Sequence, residues 1–406
     1  MKKDNSNYRW VIAVSGFIIM AVGFSIINTI HTLFVNPVTK SLGFSISSFS
    51  LLFTISAIVL AIVSPIIGNL VSKVNIKIIM TISSILAGGG FICYAFASNI
   101  YVFYLIAIFV SIGVCGLTTI PISTMISDWF EDSKKGSMMG LVFAGIGTGT
   151  FFWMQIVSRI LQKYDYRLAY ILLGSIVLIV TLPICIFVVK RNVQYEDKVQ
   201  GKNSDTKVIK KATNFKEISQ TSGFWIFAIG LLLMGISFSG IQLHVQSYLV
   251  YLKYPLSFNA NIGSLLAISA LGGNILGGII FDKFPTKKVM VSLGSLSLFS
   301  IVCLILSGNR YFTYMFAIFF GLCMAMPSLW PSYGVSRLFS NENYSVILGV
   351  VNMFFTIGAA IGPFLSGIIA DSIWGYKLAW VIYFVLTIIY YLMFIRTVTI
   401  SSEKKS

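Results

Sequence analysis

The chain has 406 residues, of which 57% are hydrophobic and only 10% are charged, and its mean hydropathy is +0.88. Soluble globular domains carry about 25% charged residues, so this composition excludes a soluble domain. The formal net charge of +16 does not indicate nucleic-acid binding, because basic residues of membrane proteins collect in cytoplasmic loops. The partner predicted from composition is a lipid bilayer, and no nucleic-acid partner is expected.

Apolar segments of about 20 residues, long enough to cross the hydrocarbon layer as helices, recur along the whole chain. They are continuous rather than alternating, which favours helices over the strands of a barrel. The sequence therefore predicts an all-α membrane protein with twelve transmembrane helices. The predicted spans are 10–34, 46–71, 76–97, 100–127, 137–158, 167–189, 222–250, 258–281, 287–307, 311–336, 344–370 and 377–396.

Basic residues are distributed unevenly between the two sides of the predicted membrane. When successive loops are assigned to alternate sides, 22 of the 29 Lys and Arg residues fall on the side that holds both termini and the 190–219 linker. Because Lys and Arg accumulate in cytoplasmic loops, both termini and the linker are predicted to be cytoplasmic, in a plasma membrane. The linker is expected to contact anionic headgroups and to carry no chemistry.

The centres of the predicted spans contain no acidic or basic residue. A charge at that depth costs at least about 2.5–3.5 kcal/mol and usually has a function. An intramembrane enzyme would need a constellation of His, Asp, Glu or Ser there, and a sensor would be expected to carry a further soluble domain. The chain is therefore not expected to be an enzyme, and no cofactor or metal site is predicted.

The second half of the chain repeats the first at a shift of about 210 residues. Gly68-x-x-x-Ser72-Lys73 returns as Gly278-x-x-x-Asp282-Lys283, and the aromatic pair at 166 and 170 returns at 376 and 380. A constant shift in chain order is typical of an internal repeat. The spans are therefore expected to form two six-helix pseudo-symmetric bundles, an N-terminal bundle over 1–189 and a C-terminal bundle over 220–406, joined by a cytoplasmic basic linker over 190–219.

The motif Gly278-x-x-x-Asp282-Lys283-x-x-x-Lys287-Lys288 resembles the cytoplasmic loop motif of the major facilitator superfamily. Within that superfamily the chain resembles the oxalate/formate antiporter and monocarboxylate porter group. The resemblance implies a secondary transporter that works by alternating access between two halves. The stretches that carry the group resemblance are Asp128-Trp129-Phe130 with the glycines from Gly136 to Gly149, Tyr166-Arg167 with Ala169, and Pro327 through to Gly362-Pro363.

The same loop motif implies a conformational latch at the cytoplasmic helix ends. Its glycine permits two helices to approach closely, and its aspartate can cap the N-terminus of a neighbouring helix. The first-half copy has Ser72 in place of the acid, so that half of the latch is expected to be weaker or to rest on a hydroxyl hydrogen bond. The predicted latch residues are Asp282, Lys283, Ser72, Lys73 and Asp128.

The resemblance also implies where a substrate is held. Carboxylate porters of this group grip their anion with a cation in helix eight, and the oxalate antiporter has a second cation in helix eleven; the matching positions here are Asn274 and Ile357. A dicarboxylate is therefore disfavoured, because a divalent anion at low dielectric needs compensating charge. A monocarboxylate held by amide and hydroxyl donors and a neutral solute both fit.

Polar and aromatic side chains within the spans are the candidates for substrate binding. Amides inside membrane helices more often bridge helices than contact a substrate. A helix-bridging role is therefore the alternative to substrate binding for each of them. Trp330, between Pro327 and Pro331, is the aromatic candidate for a cavity wall. The full set is Asn274, Asn28, Gln242, Gln246, Trp330, Tyr333, Asn352 and Gln155.

The only two histidines, His31 and His244, occupy similar places late in the first and seventh predicted spans. A histidine near an interface usually bonds to a neighbour, but imidazole titrates near physiological pH, which makes both residues coupling candidates. No carboxylate in a span centre competes for that role. A uniporter or an exchanger would need neither histidine.

The favoured function is a secondary active transporter, a symporter or an antiporter, for a small organic solute of the monocarboxylate type. The alternative is a carrier or exporter of neutral or drug-like compounds. The expected partners are the small-molecule substrate, the bilayer and, for a coupled carrier, one co-transported or exchanged ion. The protein is expected to function as a monomer.

Overall fold

The computed structural model describes residues 4–131, 133–191, 220–339, 343–370 and 372–403. These described residues are 90% helical and contain no strand. Twelve helical segments are long and apolar enough to cross a membrane, and each overlaps one predicted span. The prediction of an all-α membrane protein with twelve transmembrane helices is confirmed.

The first six spans and the connections between them contain eight α-helices, because the fourth span consists of two helices and α2 follows the end of the first span. The fourth span breaks at Thr118, three residues before Pro121, whose ring cannot continue an α-helical ladder. The eight helices are α1 (Asp4–Ile19), α2 (Val35–Leu42), α3 (Ile46–Lys73), α4 (Ile76–Cys93), α5 (Ile100–Leu117), α6 (Thr119–Trp129), α7 (Lys135–Lys163) and α8 (Tyr166–Pro183).

The last six spans contain seven α-helices. The repeat also includes the helix breaks, because the tenth span is interrupted as the fourth span is. The tenth span breaks at Met324, ahead of Pro327 and Pro331. The helices are α9 (Ser222–Tyr251), α10 (Leu256–Lys283), α11 (Thr286–Ile305), α12 (Arg310–Cys323), α13 (Ala325–Leu338), α14 (Tyr344–Ala370) and α15 (Gly375–Glu403).

Equivalent asparagines begin the fourth and tenth spans. The side chain of Asn99 accepts a hydrogen bond from the Tyr101 N–H at 2.9 Å, and that of Asn309 accepts one from the Tyr311 N–H at 3.1 Å. Asparagine is a preferred N-cap because its side-chain oxygen satisfies a backbone donor that the first helical turn leaves unpaired. The same residue type therefore starts the same span in both repeats.

The first span is not the continuous helix that its apolar sequence predicts. After α1 the backbone is π-helical over Met20–Thr29 and then 3-10 helical over Ile30–Phe34. The Ser25 hydroxyl lies 3.2 Å from the Met20 carbonyl oxygen and 2.9 Å from that of Ile146. A side chain that competes for backbone carbonyls is a recognised cause of such departures.

The described residues form two compact units. The first contains 4–131, 141–191 and 343–349, and the second contains 133–140, 220–339, 350–370 and 372–403. Each unit therefore includes a short segment that the repeat in the sequence assigns to the other half: the start of α14 belongs to the first unit, and the start of α7 to the second.

Close contacts at glycines explain why the start of α14 belongs to the first unit and the start of α7 to the second. A Cβ on Gly278 would overlap the carbonyl of Gly136 within the second unit, and a Cβ on Gly68 would overlap the carbonyl of Ser345 within the first. Small residues allow helix backbones to come this close. Residues 192–219, which make up most of the predicted linker, lie outside the described residues.

Candidate functional site

A small cavity lies inside the first unit, among the helices of its first four spans. Its volume is about 30 Å³, and one water molecule needs roughly 10–15 Å³ on this scale, so it accommodates a group of two or three heavy atoms. Four apolar residues and five residues with polar groups line it. They are Ile27, Phe53, Val110 and Val114, with Asn28, His31, Ser56, Tyr94 and Ser111.

The irregular part of the first span supplies two of the polar lining residues. Asn28 lies at the end of the π-helical segment and His31 in the 3-10 segment that follows. Departures from α-helical geometry are frequent at functional sites, and at membrane depth they occur where they are buried in protein or line a cavity. The Nδ2 of Asn28 is buried and has no hydrogen-bond partner among the described residues.

His31 is 3% exposed, and its Nε2 lies 2.9 Å from the hydroxyl of Tyr170. Within the described residues, no acidic side chain is within ion-pair distance of the imidazole. Aromatic rings enclose it, with centroids between 5.0 and 6.2 Å away. These rings are Phe34, Phe49, Phe53, Phe91, Tyr94 and Tyr170.

His244 also lies beside a tyrosine hydroxyl, in the second unit. Its Nδ1 lies 3.4 Å from the hydroxyl of Tyr376, so each histidine meets a tyrosine near the start of the sixth span of its own repeat. His244 is half-buried, while Gln242 and Gln246 on either side of it are exposed. The structure thus places the two glutamines together on one face of α9, away from the histidine.

Asn274 is 6% exposed in α10, and its Oδ1 has no hydrogen-bond partner within the described part of the chain. A Cβ on Gly140 would overlap the Asn274 carbonyl oxygen, so the start of α7 passes directly over this turn of α10. Of the remaining amide candidates, Asn352 is half-buried in α14 and Gln155 is exposed on α7.

Trp330 and Tyr333 are both fully buried in the second unit. The Trp330 ring packs against Phe227, Phe281 and Phe394, which places it in a packed aromatic core. The Tyr333 hydroxyl donates to the Phe281 carbonyl oxygen at 2.6 Å and accepts from the Arg337 Nε–H at 2.9 Å. Tyr333 therefore fixes the end of α10 immediately before Asp282.

The Asp282 carboxylate caps the N-terminus of α7 within the second unit. One oxygen accepts from the Gly136 N–H at 2.8 Å, and the other accepts from both the N–H and the hydroxyl of Ser137 at 2.6 Å. The backbone donors at a helix N-terminus lack intrahelical partners, and the helix dipole favours an anion there. Lys283, the next residue, is exposed.

In the matching loop of the first unit, the serine that replaces the aspartate bonds within its own helix. The Ser72 hydroxyl donates to the Asn69 carbonyl oxygen on its own helix at 2.7 Å, and Lys73 is exposed. The hydrogen bond of Ser72 thus stabilises only the end of α3.

An ion pair at the end of α6 involves a residue from the start of the linker. The Arg191 Nε lies 3.0 Å from the Asp128 Oδ2, with side-chain exposures of 14% and 5%, and Arg191 also approaches the Val71 carbonyl oxygen at 3.4 Å. The Trp129 indole N–H donates to the Lys190 carbonyl oxygen at 2.9 Å. Sequence reasoning missed this pair because Arg191 is one of eight basic residues in the linker, with nothing to distinguish it.

Twelve apolar helices and an internal repeat of six spans define a multi-pass membrane transporter, the class to which the comparisons with known proteins also point. The sequence model of the Major Facilitator Superfamily matches residues 12–333 and 262–406, and the chain belongs to this superfamily.

Its relatives include transporters of different substrates. The chain is 23% identical to the oxalate:formate antiporter of Oxalobacter formigenes, with 88% of this chain and 85% of that protein aligned. It is also 23% identical to the quinolone resistance protein NorA of Staphylococcus aureus, over 82% of this chain and 83% of that protein. The resemblance to the oxalate/formate antiporter group is confirmed.

Among solved structures, the fold is similar to that of the major facilitator transporter FucP, crystallised in the outward conformation. The TM-score is 0.72 at 16% identity, covering 95% of this chain and 97% of that one.

Proposed function

We propose that the protein is a secondary active transporter that moves a small monocarboxylate-type anion across the membrane by alternating access. The observation that carries this proposal is the uncharged character of the polar groups buried within the described spans. Charged side chains lie near span ends, whereas the deeper polar groups are amides and hydroxyls such as those of Asn28, Ser111 and Asn274. A monoanion can be held by such donors, but a dianion needs compensating cations.

The relationship to the oxalate:formate antiporter supports an organic-anion substrate, because formate is itself a monocarboxylate. The cations that the resemblance implies for oxalate are replaced here by Asn274 and Ile357. This combination favours the singly charged class over dicarboxylates. The basic residues favour an orientation with both termini cytoplasmic in a plasma membrane.

The first test is uptake by the purified protein in liposomes. Labelled formate, acetate and lactate are expected to enter above the background of protein-free liposomes, and oxalate is not. An imposed pH gradient in the same liposomes reports proton coupling, for which His31 and His244 are the proposed residues. Uptake of neutral solutes with no uptake of any monocarboxylate would reject the monocarboxylate proposal.

The second candidate function is export of neutral or drug-like compounds, and the relationship to the quinolone resistance protein NorA favours it. An uncharged polar interior is compatible with such substrates. Protection of cells against quinolones by the expressed protein, together with failure of the liposome test, would favour this function.

Replacing Asn274 by Leu is expected to lower transport by about tenfold without lowering membrane abundance, because one buried hydrogen bond to a substrate is worth about 1–3 kcal/mol. The side chain of Asn274 is buried with an unpartnered oxygen in α10. Asn261→Leu is the matched control, since Asn261 is exposed on the same helix. Equal transport by the two variants would remove Asn274 from the proposed substrate site.

A further inference from the structure

The cavity in the first unit presents hydrogen-bond donors without partners. The Asn28 Nδ2 is buried and unpartnered, and the hydroxyls of Ser56, Ser111 and Tyr94 form no hydrogen bond with another described residue. A buried donor of this kind destabilises the protein unless an acceptor reaches it. The cavity is therefore chemically suited to a ligand group that accepts hydrogen bonds.

Other features of the wall limit that ligand further. No Lys, Arg, Asp or Glu lines the cavity, and besides the donors just named its wall consists of His31 and four apolar residues. A cation would meet no carboxylate in the wall, whereas an acceptor meets the Asn28 amide and three hydroxyls contributed by four different spans. The volume of about 30 Å³ fits a planar group of two or three heavy atoms, since one water needs roughly 10–15 Å³.

The backbone supplies a second, independent observation. The first span leaves α-helical geometry over Met20–Thr29 and Ile30–Phe34, and Asn28 and His31 both lie in these segments. His31 is fixed at the cavity by its hydrogen bond to Tyr170. The distortion thus coincides with the residues that carry the polar groups of the cavity.

We propose that this cavity is the carboxylate subsite of the transporter, where Asn28, Ser56 and Ser111 hold the carboxylate oxygens of the transported monocarboxylate. The proposal rests on the function proposed above and adds to it the position at which the anionic end of the substrate binds. Hydrogen bonds from amide and hydroxyl groups to a carboxylate are charge-assisted and roughly twice as strong as neutral ones. Such donors can stabilise a monoanion without a cation.

The test measures binding of acetate and of ethylammonium to the purified full-length protein in detergent, by calorimetry or ligand-induced thermal shift. Acetate is expected to bind and ethylammonium is not. Asn28→Asp substitutes a carboxylate for the donor amide and is expected to weaken acetate binding by at least about tenfold, and Ser111→Ala by a few-fold. Should Asn28→Asp fail to fold, Ser111→Ala and Ser56→Ala decide the test.

Ser84→Ala is the matched control. Ser84 is a buried serine of the same unit, but its hydroxyl pairs with that of Thr181 at 2.6 Å, away from the cavity lining. Its acetate affinity is expected to equal that of the wild type. If all the cavity variants bind acetate like Ser84→Ala, the cavity holds water only and the subsite is rejected, while the transport function stands. If the wild type binds no monocarboxylate, the proposed function and this subsite are rejected together.

Discussion

Asp282→Ala is expected to lower the melting temperature of the purified protein by several degrees and to reduce transport by at least about tenfold. The carboxylate accepts three hydrogen bonds at the start of α7, two from backbone N–H groups and one from the Ser137 hydroxyl. Loss of a helix N-cap costs about 0.5–2 kcal/mol, and hydrogen bonds to a charged group are worth more than neutral ones. We therefore expect a destabilisation of about 2–3 kcal/mol.

The effect on transport follows from the proposed role of this contact as a latch. A carrier that alternates between conformations depends on contacts that stabilise one of them, and a change of about 1.4 kcal/mol shifts such an equilibrium tenfold. Asp282→Asn keeps one acceptor oxygen in place and is expected to have an intermediate effect. Thermal unfolding followed by fluorescence, together with initial uptake rates in liposomes, checks both parts of the prediction.

The internal repeat provides the control for this experiment. Ser72 occupies the equivalent loop position in the first repeat, but its hydroxyl bonds only to the Asn69 carbonyl of its own helix. Ser72→Ala is therefore expected to change stability by less than about 0.5 kcal/mol. If Asp282→Ala has the same melting temperature and the same uptake rate as Ser72→Ala, the carboxylate is not a latch.

Arg191→Ala is expected to destabilise the protein by about 3 kcal/mol, because the ion pair with the Asp128 carboxylate is largely buried and the loss of one partner of such a pair is strongly destabilising. The Asp128 side chain is only 5% exposed, and its Oδ2 lies 3.0 Å from the Arg191 Nε. The variant also loses the contact to the Val71 carbonyl. The melting temperature of the purified protein is the direct measurement.

Two further variants separate the ion pair from a general effect of charge. Lys190→Ala removes the neighbouring, exposed cation and is expected to alter stability by less than about 1 kcal/mol, because its ammonium makes only a cation–π contact with Tyr8 at 5.4 Å. The double variant Arg191→Ala/Asp128→Asn is expected to lose less stability than the sum of the losses of the two single variants, because the two residues interact directly. The pairing would be contradicted if the stability losses of the two single variants were additive. It would also be contradicted if Arg191→Ala and Lys190→Ala had equal melting temperatures.

The internal repeat determined more of the local structure than hydropathy alone. It places Asn99 and Asn309 as caps of the fourth and tenth spans. His31 and His244 each meet a tyrosine of the sixth span in their own repeat, but these tyrosines are not equivalent, because the shift of 210 residues relates Tyr170 to Trp380. Equivalent positions share a local environment, because the same helix order recurs in both halves of the chain.

By itself, the sequence determined that this chain spans a membrane as twelve helices, because a lipid interior tolerates only long apolar segments with internally bonded backbones. Only the tertiary structure decided which polar residues meet. The amide of Asn28 and the hydroxyls of Ser56 and Ser111 come from three spans and converge on one cavity, while Trp330 turns into a packed core. Continuously apolar spans carry no amphipathic stripe to indicate the rotation of each helix about its axis. That rotation is set by packing between helices, such as the close approach of Gly278 to Gly136.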